Sequence, residues 1–140
     1  MAGWKDVRRI ALALPESSEQ SSHGTAAWYV RDKPFAWERP LRPGDIRALG
    51  KSAPDGPILA VRVPHLLAKE ARLAAGPAAC FTTPHFDGYP SVLVRLDEIR
   101  VGDLKELIVE SWLARAPKRL AREYLKLPDK KAKRPSRKRV

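Results

Sequence analysis

Four side chains capable of acid–base or nucleophilic chemistry lie within ten residues of one another, namely Cys80, His85, Asp87 and Tyr89. A histidine near a carboxylate is a common general acid–base pairing, and a cysteine near a histidine can act as a nucleophile. The segment PHFDGYP, residues 84–90, is also typical of a rigid turn, because proline fixes φ and Asp-Gly favours turns. Spacing alone gives no catalytic geometry, so we favour the turn. We interpret the cysteine as a small buried hydrophobe.

The sequence lacks the motifs of a metal site, a nucleotide site or a catalytic centre. The three histidines lie far apart, and no HxxxH, CxxC or paired acidic motif is present. Neither GxGxxG nor GxxxxGK[ST] occurs, so no glycine-rich phosphate loop is indicated. We therefore predict no cofactor, no metal and no catalytic residues, and we expect a protein that is not an enzyme.

Length and composition indicate one domain outside a membrane. A chain of 140 residues can build a single hydrophobic core without disulfides or metals. Its longest apolar runs, such as residues 58–61, are too short to cross a bilayer, and the N-terminus lacks the features of a signal peptide. The single cysteine cannot form an internal disulfide. We expect a cytoplasmic protein.

Positive charge is concentrated at the C-terminus. The whole chain carries a net charge of +11, and residues 126–140 contribute +7 of it, with eight Lys or Arg and one Asp. Such a segment raises the affinity for any polyanion without providing sequence recognition. The alternative is a tail that only keeps the protein soluble.

Apolar periodicity and turn residues predict four helices. In the first helix Val7, Ile10 and Leu14 share one face. The spacing of Asp103 and Glu106 predicts a capping box at the start of the third. The expected helices cover residues 4–14, 64–75, 103–115 and 117–125.

Runs of β-branched and aromatic residues predict about five strands, at residues 25–30, 35–38, 58–63, 80–83 and 91–96. Residues 16–24 and 39–57 are expected to be loops, with one helical turn at residues 45–49. The sheet core is assigned mainly to Trp28, Val30, Phe35 and Trp37. Short connections without βαβ alternation predict an α+β fold, with an antiparallel sheet packed against helices.

Basic side chains provide the clearest binding signal. On the last predicted helix Lys118 and Arg122 are four residues apart, so they share a face. Arg62 and Arg95 on strands, with His85 at the turn, are expected to add contacts governed by shape. The full candidate set for nucleic-acid binding is Arg62, His85, Tyr89, Arg95, Lys118, Arg119, Arg122, Lys130, Lys131, Lys133, Arg134, Arg137, Lys138 and Arg139.

Two segments carry a family resemblance. TPHFDGYPSVLVRL at residues 83–96, followed by a helix with Trp112 and by APKRL at residues 116–120, resembles the MmcQ/YjbR-like family. The ALPE sequence and the Ser-His-Gly step near the N-terminus also fit, so the similarity covers nearly all of residues 3–125. The resemblance implies an antiparallel-sheet domain of the double-wing type, which has been compared with DNA-binding proteins.

The domain is expected to span residues 1–126, with a disordered basic tail at residues 127–140. We predict that it binds DNA or RNA without sequence preference, mainly through phosphates. The alternative is a module that binds a small ligand or a protein, with the PHFDGYP turn and the strands of Trp28 and Trp37 as its surface. The sequence assigns no particular small molecule and no oligomeric state.

Overall fold

Six antiparallel strands form one sheet in the computed structural model, which describes residues 1–22 and 24–126. The strand order is β1-β2-β3-β4-β6-β5, and the α+β prediction is confirmed. The elements in chain order are α1 (Trp4–Leu12), β1 (Ser17–Ser22), β2 (Thr25–Val30), β3 (Lys33–Glu38), α2 (Pro43–Leu49), β4 (Ile58–Arg62), α3 (Leu66–Ala75), β5 (Cys80–Phe81), β6 (Ser91–Arg95), α4 (Val101–Arg115) and α5 (Lys118–Lys126).

The polar strand β1 is the additional strand, and the prediction of a loop over residues 16–24 was wrong. Its sequence, SSEQSS, has no apolar alternation, yet it pairs with β2 along its whole length. Glu19 explains part of this, because its carboxylate accepts hydrogen bonds from Arg8 on α1 and from Trp28 Nε1 on β2. Backbone pairing and this carboxylate therefore hold an edge strand that has no apolar face of its own.

One face of the sheet carries the main hydrophobic core. Strand alternation directs Leu59 and Val61 of β4 to this face, where α1 and α4 cover the sheet. Trp28, Val30 and Phe35 lie in this core, as predicted. Trp112 of α4 is also fully buried here, and its Nε1 donates to the carbonyl oxygen of Pro15 at 3.1 Å.

The opposite face carries a smaller core, formed by Ile58, Ala60, Phe81, Phe86 and Leu93. Trp37 packs against this smaller core and is only partly buried, whereas Trp28, Val30 and Phe35 belong to the main core on the other face. The bulge in the β2–β3 pairing lies between Trp28 and Tyr29, which weakens any assignment of faces by strict alternation.

The connection from residue 39 to residue 57 contains more structure than the single turn that we predicted. Pro43 begins α2, which is consistent with the preference of proline for the first turn of a helix. Asp45 stabilises this end, because its carboxylate accepts the backbone N–H of Arg42 at 2.9 Å. The helix covers part of the smaller core through Leu49.

Several boundaries differ from the prediction. Helix α4 begins at Val101 after Arg100, so the predicted capping box of Asp103 and Glu106 is wrong. Helix α3 begins after His65, whose Nδ1 accepts the backbone N–H of Ala68 at 3.1 Å.

Within the described ranges, none of the helices is both long enough and apolar enough to span a bilayer. The predicted tail, residues 127–140, and His23 lie outside the described residues.

Candidate nucleic-acid interface

The PHFDGYP turn is a compact unit on the face of the smaller core. Pro84–Phe86 forms a 3₁₀ turn, and the Tyr89 N–H donates to the carbonyl oxygen of Phe86 at 3.0 Å. Gly88 has φ of +75°, which favours glycine because other residues rarely adopt it. The segment forms a turn, as predicted, and it buries Phe86 while it leaves His85 and Tyr89 exposed.

A buried lysine holds this turn in place. The Nζ of Lys69 on α3 donates to the carbonyl oxygens of Phe86 at 2.5 Å and of Tyr89 at 2.9 Å. Burial lowers the pKa of Lys69, and the charge of Asp87 opposes that shift. Sequence reasoning missed this residue, although a lysine on the inward side of an amphipathic helix is a signal that it has a polar partner.

The chemically reactive residues are not brought together. Cys80 faces the main core, whereas Phe81 beside it and the PHFDGYP turn belong to the opposite face of the sheet. Burial raises the pKa of the Cys80 thiol to about 11, so the thiolate needed by a nucleophile is disfavoured. Among the described residues, His85 makes a ring contact with Phe86 and no hydrogen bond to Asp87.

A groove of about 890 Å³ opens between the turn and the segment that joins β3 to α2. Aromatic side chains from both walls line it, namely Trp37, His85 and Tyr89. The carboxylates of Glu38 and Asp87 also line it. Arg39 and Arg42 line it as well, so the groove combines flat ring surfaces with charges of both signs, which distinguishes it from a simple phosphate site.

The floor of the groove is fixed by a buried ion pair. Arg39 Nη2 lies 3.1 Å from Asp45 Oδ2, and both side chains are buried. The Arg39 guanidinium carbon also lies 5.2 Å from the ring centre of Phe86. Burial raises the pKa of Asp45, but the hydrogen bond from Arg42 and the charge of Arg39 outweigh it, so the pKa is lowered overall. This pair connects β3, α2 and the turn.

Two arginines converge beside Tyr89, and we call Arg62 and Arg115 the arginine pair. The Arg62 guanidinium carbon lies 5.3 Å from the ring centre of Tyr89. Ser111 of α4 donates to the carbonyl oxygen of Arg62 at 2.7 Å, and Arg115 follows one helical turn later on the same face. The last turn of α4 therefore lies beside the end of β4, where the charge of Arg62 and the side chain of Tyr89 both act on the Arg115 guanidinium.

The arginine pair has no carboxylate partner in the described part of the chain. Burial lowers the pKa of Arg115, the positive charge of Arg62 lowers it further, and Tyr89 opposes these effects. The Nε of Arg115 is buried and has no hydrogen-bond partner among the described residues. The negative end of the α4 dipole offsets part of the repulsion between the two charges.

The structure brings some predicted binding residues together and separates another. Arg62, Tyr89 and His85 are neighbours around the turn. Arg95 has its guanidinium carbon 4.4 Å from the ring centre of Phe81 and lies at the other end of the same strand pair. In the register Arg62 is opposite Ser91 and Arg95 is opposite Ile58, so the two arginines are separated by about 13 Å along β4.

Helix α5 continues the chain directly beyond Arg115. It packs through Leu120 and Tyr124, whose ring centre is 5.1 Å from that of Trp112. Its predicted cations are exposed, and Arg119 makes a weak ion pair with Glu123 at 3.8 Å. These cations are Lys118, Arg119 and Arg122, whereas the predicted tail cations Lys130, Lys131, Lys133, Arg134, Arg137, Lys138 and Arg139 lie outside the described residues.

Comparison with known proteins identifies the family. The YjbR family model matches residues 12–114, which is most of the chain. The chain belongs to the YjbR family. It is 52% identical over 128 residues to uncharacterised proteins of Mycobacterium bovis and Mycobacterium tuberculosis, covering 89% of this chain and 97% of those proteins.

A solved structure of similar fold comes from Deinococcus radiodurans. It is the crystal structure of a protein with a DUF419 domain, and it is 25% identical to this chain with a TM-score of 0.59. The similarity covers 91% of each chain. The family resemblance drawn from residues 83–96 and 116–120 is therefore confirmed, together with the α+β fold.

Proposed function

We propose that this YjbR-family protein is a cytoplasmic nucleic-acid-binding protein that acts mainly through phosphate contacts and is not an enzyme. The observation that carries the proposal is the arginine pair. The charges of Arg62 and Arg115 repel each other, and neither side chain has a carboxylate partner among the described residues, so together they form a local positive charge that a phosphate would neutralise. Guanidinium geometry also suits the two-oxygen face of a phosphate.

The surroundings of the pair favour a polymeric anion over an isolated one. Exposed Lys118 and Arg122 lie just beyond Arg115 on α5 and extend the positive surface. The basic segment at residues 126–140 adds a net charge of +7 from the same end of the chain. A row of phosphates can contact such a surface at several points, and each contact releases counterions. The family resemblance drawn from the sequence adds an analogy with double-wing DNA-binding proteins, which is an argument from fold alone.

Salt dependence of binding to a labelled oligonucleotide tests the proposal. Fluorescence anisotropy titrations from about 50 to 200 mM salt should give a slope of log K against log salt near −5, if about six cations contact phosphates. Arg62→Ala and Arg115→Ala should each reduce the magnitude of that slope by about one. Arg8→Ala is the matched control, because the Arg8 charge is already paired with Glu19 at 2.8 Å. A flat salt response, or equal effects of all three substitutions, contradicts the proposal.

A second candidate function is binding of a small ligand or a protein segment in the groove. The observation that favours it is the concave, partly polar surface beside His85. Trp28 is buried and does not contribute to that surface, so Trp37 alone remains of the two tryptophans that we considered. Deletion of residues 129–140 distinguishes the two functions. Phosphate binding should weaken for all nucleic-acid sequences alike, whereas a ligand in the groove should bind as before.

A further inference from the structure

We infer that the groove accepts an unpaired base, so that the nucleic acid bound at the arginine pair is single-stranded. The inference rests on the proposed function and adds a site for the base to the proposed phosphate contacts. Tyr89 links the two regions, because its ring both lines the groove and carries the Arg62 guanidinium at 5.3 Å. A strand whose phosphate lies at the arginine pair therefore has the groove directly beside it.

The groove has the surfaces on which bases stack. Trp37 belongs to one wall, and His85 and Tyr89 belong to the other. Both His85 and Tyr89 are exposed, and the turn that carries them is held by the Lys69 hydrogen bonds. Base–aromatic stacking tolerates any base, because every base has a π face. The arrangement therefore suits a base without requiring a particular sequence.

The charges assign the base and the phosphate to different places. Glu38 and Asp87 line the groove, and Arg39, which also lines it, is neutralised by Asp45. Arg42 is the other arginine of the lining, so the two carboxylates outnumber the remaining positive charge there and disfavour a phosphate. The unpaired positive charges near Tyr89 are those of Arg62 and Arg115 at the edge. A nucleotide would thus direct its base inward and its phosphate to the edge. A duplex cannot do this, because its bases are stacked and paired inside the helix.

The test compares three ligands with the full chain at one salt concentration. They are a thymidine oligonucleotide, an abasic oligonucleotide of the same length and charge, and a duplex of that length. We expect the thymidine strand to bind about tenfold tighter than the abasic strand and more tightly than the duplex. The tryptophan fluorescence of the protein should be quenched by the thymidine strand only. Trp37→Phe should abolish this quenching, because Trp37 lines the groove.

His85→Ala should remove most of the preference for the thymidine strand over the abasic strand without changing the salt slope. Leu67→Ala is the control, since Leu67 is 71% exposed on α3 and does not line the groove. Equal binding of the thymidine and abasic strands, or tighter binding of the duplex, overturns the inference and leaves the proposed function standing. Competition by thymidine monophosphate at the same concentration as the oligonucleotide also overturns it, in favour of a small ligand. If none of the three ligands binds, the proposed function fails as well.

Discussion

Arginines on two sides of the molecule have opposite environments. On the β1 side, Arg8 lies 2.8 Å from Glu19, and Arg31 lies 2.6 Å from Glu16. Beside Tyr89, the arginine pair has an aromatic ring and a second positive charge for neighbours, and it has no carboxylate within the described ranges. The same residue type therefore joins elements of the fold in one region and leaves positive charge available in the other.

The two arginine environments differ in their effect on the stability of the folded state. Exposed ion pairs change stability little, because water and salt screen them. Two like charges, one of them partly buried, destabilise the folded state through desolvation and repulsion. An anion bound between Arg62 and Arg115 would relieve both effects. The contrast suggests that the arginine pair is suited to binding, whereas Arg8 and Arg31 are suited to holding the edge strand.

The largest expected effect comes from creating an unpaired arginine inside the fold. Asp45→Asn keeps an acceptor for the Arg42 N–H but removes the charge that neutralises Arg39. Because both side chains are buried, we expect a loss of about 3–5 kcal/mol in the free energy of unfolding, measured with urea. Glu16→Gln is the control, since it leaves Arg31 unpaired in solvent and should change stability little. Equal losses would show that burial does not separate the two classes of arginine.

Removal of the buried lysine should have a smaller effect. Lys69→Met keeps the aliphatic stem but removes one hydrogen bond from each of the carbonyl oxygens of Phe86 and Tyr89, which keep only a backbone N–H as donor. We expect a loss of about 1–3 kcal/mol in urea unfolding, together with weaker binding of a single strand because Tyr89 loses its support. Lys105→Met replaces an exposed lysine of α4 and should change neither quantity. A Lys69→Met variant as stable as the wild type would show that the turn does not depend on the Lys69 hydrogen bonds.

Replacement of Arg115 should separate stability from binding. Arg115→Met removes a buried Nε without a described partner and the repulsion from Arg62, so the free energy of unfolding should rise by about 1 kcal/mol. Affinity for an oligonucleotide should fall in the same variant. Sulfate should raise the melting temperature of the wild type more than that of Arg115→Met. A variant that loses stability and keeps its affinity would assign Arg115 a structural role only.

The smallest expected effect is an acid sensitivity at the edge strand. Hydrogen bonding from Arg8 lowers the pKa of Glu19 below its ordinary value of 4.5, despite an opposing effect of burial. A lowered carboxyl pKa in the folded state gives stability that is present above 4.5 and is lost as the pH falls through the folded-state pKa. Glu19→Gln should therefore flatten the fall of the urea midpoint below this pH. Glu106→Gln on the exposed face of α4 should leave that fall unchanged.

The fold was predictable wherever apolar residues follow the helical period or form a short continuous run. Helices α1 and α4 bury apolar side chains at helical spacing, and strands β4 and β6 bury four consecutive residues each, so their sequences indicate them directly. Strand β1 has no such signal, because its stability depends on pairing with β2 and on the carboxylate of Glu19. Helix α2 was underestimated for a related reason: its contacts are a buried ion pair and a proline-containing segment.

The candidate site was only half predictable. Arg62, His85 and Tyr89 were identified from residue type and their positions at a strand and a turn, and the structure gathers them. Arg115 was missed because it resembles any cation at the end of a helix. Its proximity to Arg62 depends on how α4 crosses the end of β4, fixed by the contact of Ser111 with the Arg62 carbonyl. That contact joins residues 49 positions apart, which no local pattern reveals.

The two ends of the strand order have a consequence for behaviour at high concentration. One outer strand, β1, is made of serines, a glutamate and a glutamine, and the other, β5, has only two residues. Neither offers a long, flat, apolar backbone edge on which a second chain could add a strand. We therefore expect the folded protein to resist fibril growth by strand addition, even at concentrations that bring many copies close together.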